Sequence, residues 1–108
     1  MCRLFRDVLS DLRRQIEVNG IEWMGARGIS NIAHAMGKLK LRQNRDTLSI
    51  LKVIDMDSSW LIENGNTQGI ANCVWACATL GVSSPKLFAE LENRASWLME
   101  NGNTQTIV

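Results

Sequence analysis

WLIENGNTQ, Trp60 to Gln68, returns as WLMENGNTQ, Trp97 to Gln105, so eight of nine residues recur thirty-seven positions later. Such density of identity within one chain marks a tandem repeat. A period between about twenty and fifty residues belongs to stacked supersecondary units, each too small to bury its own apolar face. A fainter echo extends the pattern upstream: Gly28, Ile29, Asn31, Ala35 and Leu39 stand forty-one residues before Gly69, Ile70, Asn72, Ala76 and Leu80, with Gly37 matching Ala78. Three units follow, at approximately 1–43, 44–82 and 83–108, within a single array. The first aligns either with Asn19-Gly20 on Asn64-Gly65, leaving four extra residues around Ile21 to Met24, or with Trp23 on Trp60 and a gap. The last unit stops at Val108, where its second helix should begin, so the chain is expected to be a piece of a longer array or the product of an incomplete gene model.

Composition agrees with a small helical array. The 108 residues include one Pro and no Tyr, and 45% are hydrophobic, rich in Ala, Leu, Ile and Met. Helix punctuation is regular. Gly65 and Gly102 follow Asn64 and Asn101 where a left-handed residue would close a helix, and Thr67 and Thr104 offer N-cap hydroxyls for the next one. Gly81 ends a helix after Leu80, and Ser84-Pro85 opens another with a cap followed by Pro at the first helical position. The short connections imply antiparallel helix pairs. The predicted fold is therefore all-α, a solenoid of αα-hairpins (an alpha-alpha superhelix) with a period of about 37 residues.

The two helices of a unit differ in character. Leu87, Phe88, Leu91, Ala95 and Leu98 form one stripe, with Lys86, Glu90, Asn93 and Arg94 off it, which predicts a helix with a wet face. Ile70 to Leu80, IANCVWACATL, is apolar nearly all round and rich in small residues, so it is expected to be the inner helix, packed on several sides. The first helix, roughly Arg3 to Val18, places Leu4, Phe5, Val8, Leu9, Leu12 and Ile16 on one side. Its Arg3, Arg6, Arg13 and Arg14 are read as surface charges pairing with the interleaved Asp7, Asp11 and Glu17. Those carboxylates argue against a transit peptide, and no signal peptide or membrane span is visible.

Chemistry is sparse. Cys2, Cys73, Cys77 and His34 would suffice in number for one zinc, but the repeat register sets Cys73 against Ile32 and Cys77 against Met36, which makes both core residues. His34 aligns with Trp75, a site for a large, partly buried ring. Three cysteines in so short a chain suggest a reducing compartment rather than a disulfide framework. No nucleophile motif, phosphate loop or carboxylate pair stands out, so neither an enzyme nor a cofactor, metal site or small-molecule substrate is expected. Asp55 and Asp57, beside Ser58 and Ser59, are read as a solvated helix face. Trp60 and Trp97, which recur with the repeat, are read as packing residues between units, with base stacking the less favoured alternative.

Charge carries the functional signal. Residues 1–45 hold nine Lys or Arg against four Asp or Glu, net +5, while 46–108 hold three against seven, net −4. The sharpest cluster is KLKLRQNR, Lys38 to Arg45, four cations at the junction of the first two units. Lys38, Lys40, Arg42 and Arg45 are the candidate nucleic-acid-binding residues, able to neutralise phosphates with salt-dependent affinity; the alternative is a solvated inter-helix turn with no ligand.

The segment GIANCVWACATLGVSSPKLFAELENRASWL, Gly69 to Leu98, resembles the organellar RNA-binding helical-repeat proteins: octotricopeptide repeats, the heptatricopeptide repeats of FAST-kinase-like and RAP-domain proteins, and similar repeats of RNA-editing complexes. The pattern Ala-Asn-x-x-Trp-Ala-x-Ala-x-Leu-Gly, Ala71 to Gly81, is similar to the second helix of such a repeat, and Asn31, Ala35 and Leu39 match it in part. The octotricopeptide Pro-Pro-Pro-Glu-Trp signature and a RAP domain are absent, and His34 stands where the motif has Trp. The resemblance implies an αα-superhelix that binds single-stranded RNA in a mitochondrion or plastid and assists its processing, editing or stability, together with other RNA-processing proteins and away from membranes. The competing expectation is a protein–protein interaction scaffold of the armadillo or tetratricopeptide kind, which the near-neutral overall charge favours.

Overall fold

The computed structural model describes residues 3–101, with side chains through residue 96. The described residues form six α-helices: α1 (Arg3–Asn19), α2 (Gly25–Lys38), α3 (Arg45–Met56), α4 (Ser58–Asn64), α5 (Thr67–Leu80) and α6 (Pro85–Asn101). A 3-10 turn, Ile21–Trp23, joins α1 to α2, and its Ile21 is fully buried. No strand occurs among them, as an all-α chain requires. None of these helices is long and apolar enough to cross a membrane. Cys2, Gly102 and Thr104 lie outside the described residues, as does the side chain of Trp97.

Helix ends follow local chemistry, with two departures from expectation. Gly81 does close α5 in the left-handed conformation, at φ 69°. Gly65, in contrast, is extended (φ −88°, ψ 157°). Glycine is needed there because a Cβ would stand 2.8 Å from the Leu61 carbonyl oxygen, to which the Gly65 N–H donates at 2.7 Å. The cap of α5 is Asn66 rather than Thr67. Its extended backbone (φ −89°, ψ 170°) aims Oδ1 at the Gly69 N–H, 2.7 Å away, satisfying one of the donors a helix start leaves unpaired. Asn44 caps α3 in the same way through the Thr47 N–H, at 2.8 Å.

The outer helix of the second unit, expected as one piece, is interrupted at Asp57 (φ −99°, ψ 26°) and continues as α4. The run Asp55-Met56-Asp57-Ser58-Ser59 is rich in side chains that compete with the backbone for hydrogen bonds. Asp55 itself, expected on a solvated face, is only 7% exposed. Its Oδ1 accepts the backbone N–H of Leu87 at 2.8 Å and so joins α3 to the first turn of α6. Ser84 contributes its carbonyl to Phe88 at 3.1 Å.

The helices pack in two layers. α2 lies along α5, while α1 contacts α3, and α3 and α4 contact α6. A continuous core including Leu9, Ile16, Met36, Ile50, Ile54 and Leu61 runs between them. Close contacts follow the same order along α2 and α5. A Cβ on Gly69 would meet Ser30 Oγ at 2.5 Å, and one on Gly37 would meet Trp75 Cζ3 at 2.5 Å. The two axes therefore run parallel, and small residues at the crossings let the backbones approach closely. Between α1 and α3, Arg13 donates to Asp46 at 2.5 Å and also pairs with Glu17.

Burial on the two helices is narrower than the sequence suggests. α5 buries Gly69, Cys73, Ala76, Cys77 and Leu80, all on one flank, while Ala71, Trp75 and Ala78 are exposed. Its apolar composition exceeds what α2 and α3 cover. On α1, Leu9 and Ile16 are buried, but Leu4 is 72% exposed and Val8 also remains in solvent.

Candidate nucleic-acid interface

The connection from α2 to α3 is built by backbone geometry that forces a lysine into an uncommon position. The Leu41 N–H reaches back to the Met36 carbonyl at 3.3 Å and the Lys40 N–H to that of Gly37 at 3.1 Å. This six-to-one and five-to-two pairing is the Schellman closure of a helix, which needs a left-handed residue at the position Lys40 occupies. Lys40 has φ 55°, the one positive φ of a non-glycine residue among the described residues. A residue with a Cβ costs about 1–2 kcal/mol more than glycine in that conformation. The ammonium thus sits where glycine would be more stable.

All four predicted cations, Lys38, Lys40, Arg42 and Arg45, are exposed. They do not have one role. Arg42 donates from Nε and Nη2 to the Thr79 carbonyl, at 3.3 and 3.2 Å, where the last carbonyls of α5 carry partial negative charge. It holds the loop against α5 as well as presenting charge. Lys40 and Arg42 line a shallow depression of about 630 Å³ together with Arg6 of α1, Leu41, Gln43 and Asn44. Lys38 and Arg45 flank the loop as the last residue of α2 and the first of α3. In the sequence Arg6 reads as a surface charge paired along α1. Its place beside the loop depends on how α1 packs, which no local pattern encodes.

A second depression, about 480 Å³, opens between the N-terminal halves of α2 and α5. Amides dominate it: Asn31 and Asn72, forty-one residues apart in sequence, sit with Asn64, Asn66, Gln68 and Arg27 around them, and none of its lining residues is acidic. Two of the amides serve the fold. Asn66 caps α5, and Asn64 Nδ2 donates to the Trp60 carbonyl at 2.8 Å. In the sequence Asn31 and Asn72 read only as repeat markers, although their shared register is the signal that points to a common surface.

A third groove, about 620 Å³ and mostly apolar, runs between α5 and α6, with Ile62, Ile70, Val74, Trp75 and Leu91 in its walls. Trp75 is 43% exposed. Its ring stands 5.3 Å from that of His34, with the planes tilted by 32°. His34, expected to be partly buried, is exposed on α2. Trp60 is half-buried against the core.

Cys73 and Cys77 are fully buried. Burial pushes the Cys73 thiol from 9.0 up to about 11 and raises that of Cys77 as well, which disfavours the thiolate a metal would need. Among the described residues no group of three or more potential ligands is placed to hold a metal ion. Compared with protein-family models, curated proteins and solved structures, the chain matches none of them.

Proposed function

We propose that this chain is a helical-repeat module, an αα-superhelix with units of about 37 residues, that binds single-stranded RNA in a mitochondrion or plastid and assists RNA processing, editing or stability. The observation that carries the reading is the junction loop. Lys38, Lys40, Arg42 and Arg45 are all exposed, Arg6 joins them from α1, and Lys40 holds its charge at a position where glycine would be more stable. Strain kept at a surface cation is what a functional demand for charge would produce. Support for the repeat comes from α2 and α5, two fourteen-residue helices lying side by side and parallel, and from the elongated 49 × 25 × 21 Å dimensions. The organellar address rests on the resemblance alone.

The alternative is a protein-interaction scaffold, which the apolar α5–α6 groove favours. Salt-dependent binding separates the two. Titrating a labelled short single-stranded RNA should give an affinity that falls with salt, and removing one phosphate-binding cation should reduce the logarithmic slope by about 0.7. Lys40→Gly removes a cation while relieving backbone strain, so weaker binding in that variant would not reflect a weaker fold. Lys38→Glu with Arg45→Glu should abolish most of the remaining affinity. Binding that is absent, or indifferent to both salt and these substitutions, would exclude the RNA reading.

A further inference from the structure

Along α2 the exposed residues Arg27, Asn31, His34 and Lys38 succeed one another at spacings of four, three and four. With about 100° of rotation per residue, that spacing draws a single stripe down one face. Forty-one positions later, Gln68, Asn72 and Trp75 continue the same register on α5. Because α2 and α5 lie parallel and in contact, the two stripes adjoin rather than face apart.

They meet at three levels. At the N-terminal level Arg27, Asn31, Gln68 and Asn72 share the walls of one depression. At mid-helix the rings of His34 and Trp75 stand 5.3 Å apart. The indole is seated on the Gly37 backbone so closely that a Cβ there would come within 2.5 Å of its Cζ3. At the C-terminal level Lys38 ends the stripe, and Arg42 is bound to the Thr79 carbonyl of α5. From Asn31 to Lys38 the rise is about 10 Å, so all three levels lie within reach of a few nucleotides. Asn31, Gln68 and Asn72 make no side-chain hydrogen bond to another described residue.

The chemistry of the track suits bases. An Asn or Gln amide presents a donor and an acceptor side by side, the arrangement that pairs with a base edge. A partly exposed aromatic ring offers a face on which a base stacks whatever its identity. Cations at both ends and no acid in the depression suit a polyanion. An extended peptide would use the amides but would gain little from the flanking cations.

We propose that the adjoining stripes of α2 and α5 form a base-contacting track for single-stranded RNA. In it the His34–Trp75 shelf stacks one base, and the Asn31 and Asn72 amides bond the edges of its neighbours. The track rests on the RNA reading above; it adjoins the phosphate-binding loop and shares Lys38 with it, while its base-contacting residues, Asn31, His34, Asn72 and Trp75, lie outside the loop.

The test compares a labelled short single-stranded RNA with a strand of equal length that has the ribose-phosphate backbone but no bases. The unaltered protein should bind the intact strand about fivefold or more tighter than the abasic one. His34→Ala, Trp75→Ala and the pair Asn31→Ala with Asn72→Ala should each reduce that preference and leave abasic binding unchanged, whereas Trp75→Phe should retain it. If Trp75→Ala unfolds the chain, the exposed His34 and Asn31 variants carry the comparison. Equal binding of the two strands, with stripe variants indistinguishable from the parent, would overturn the track while leaving an RNA-binding loop intact. No binding of either strand by the folded protein would remove both the loop reading and the track. Capture of extended peptides without RNA, abolished in the same stripe variants, would also overturn the proposal and assign the surface to a scaffold.

Discussion

Asp55 Oδ1 and the Leu87 N–H are joined at 2.8 Å across thirty-two residues of sequence, so the first turn of α6 is capped by a side chain of α3. The bond satisfies a donor that the start of α6 leaves without an intrahelical partner. It also sets a carboxylate against the positive end of the helix dipole. Because Asp55 is buried, replacing it strands the Leu87 N–H away from water. Asp55→Ala should therefore lower stability by about 1–3 kcal/mol, the cost of an unsatisfied buried donor. Asp55→Asn keeps a carbonyl acceptor and should cost less. Urea unfolding at neutral pH measures both, and an Asp55→Ala variant as stable as the parent would refute a capping role.

Gly37 and Trp75 define a second point of contact, this time between α2 and α5. Glycine inside a helix ordinarily costs about 0.5–1 kcal/mol relative to alanine, so Gly37→Ala would be stabilising if space allowed. Space does not allow it, since the new Cβ would lie 2.5 Å from Trp75 Cζ3. Because the indole is half exposed and can give way, the cost lies at the low end of the about 1–3 kcal/mol of overpacking in a closed core, so Gly37→Ala should be only marginally destabilising in the parent. In a Trp75→Ala background the obstruction is gone, and the same substitution should become stabilising. A double-mutant cycle measured by urea unfolding reads the change of sign directly. An identical effect in both backgrounds would show that the indole does not rest on Gly37.

How much of this is legible in the sequence follows from which contacts are local. α1, α5 and the opening of α6 at Pro85 follow from periodicity and helix punctuation, which act over a few residues, while α2 and the core positions of Cys73 and Cys77 are read from the echo forty-one residues apart. The cap of α5 falls one position from the expected one, on Asn66 instead of Thr67, because both residue types cap. Only the extended backbone at Asn66 decides between them. Asp55 defies its local pattern because its partner lies in another helix, and a carboxylate in a polar run looks solvated until the fold brings Leu87 to it. Of the candidate cations, the cluster is visible as composition. That Arg42 is held by the Thr79 carbonyl, that Lys40 is left-handed and that Arg6 lies alongside depend on the packing of α1, α2 and α5. The stripes are present as matching residues forty-one apart, but their adjacency requires α2 and α5 to be parallel neighbours.

Cys73 supplies a prediction from protonation. Its side chain has no exposed surface, and burial moves its thiol from 9.0 up to about 11, so the folded state favours the protonated form. Below about pH 9 folded and unfolded chains both hold the proton, and the stability is fully present. As the pH rises from there through about 11 the unfolded chain releases its proton first, so stability is lost progressively, by about 2–3 kcal/mol for a shift of this size. Other groups also titrate in that range, which makes the comparison with Cys73→Val decisive. Valine is aliphatic and close to cysteine in size, so it suits the buried slot, and the variant should lose much of the alkaline sensitivity. Urea midpoints on either side of pH 9 would measure it, with maleimide labelling of the folded protein expected to be slow at Cys73. A Cys73→Val variant that weakens as steeply as the parent would mean that the thiol does not contribute.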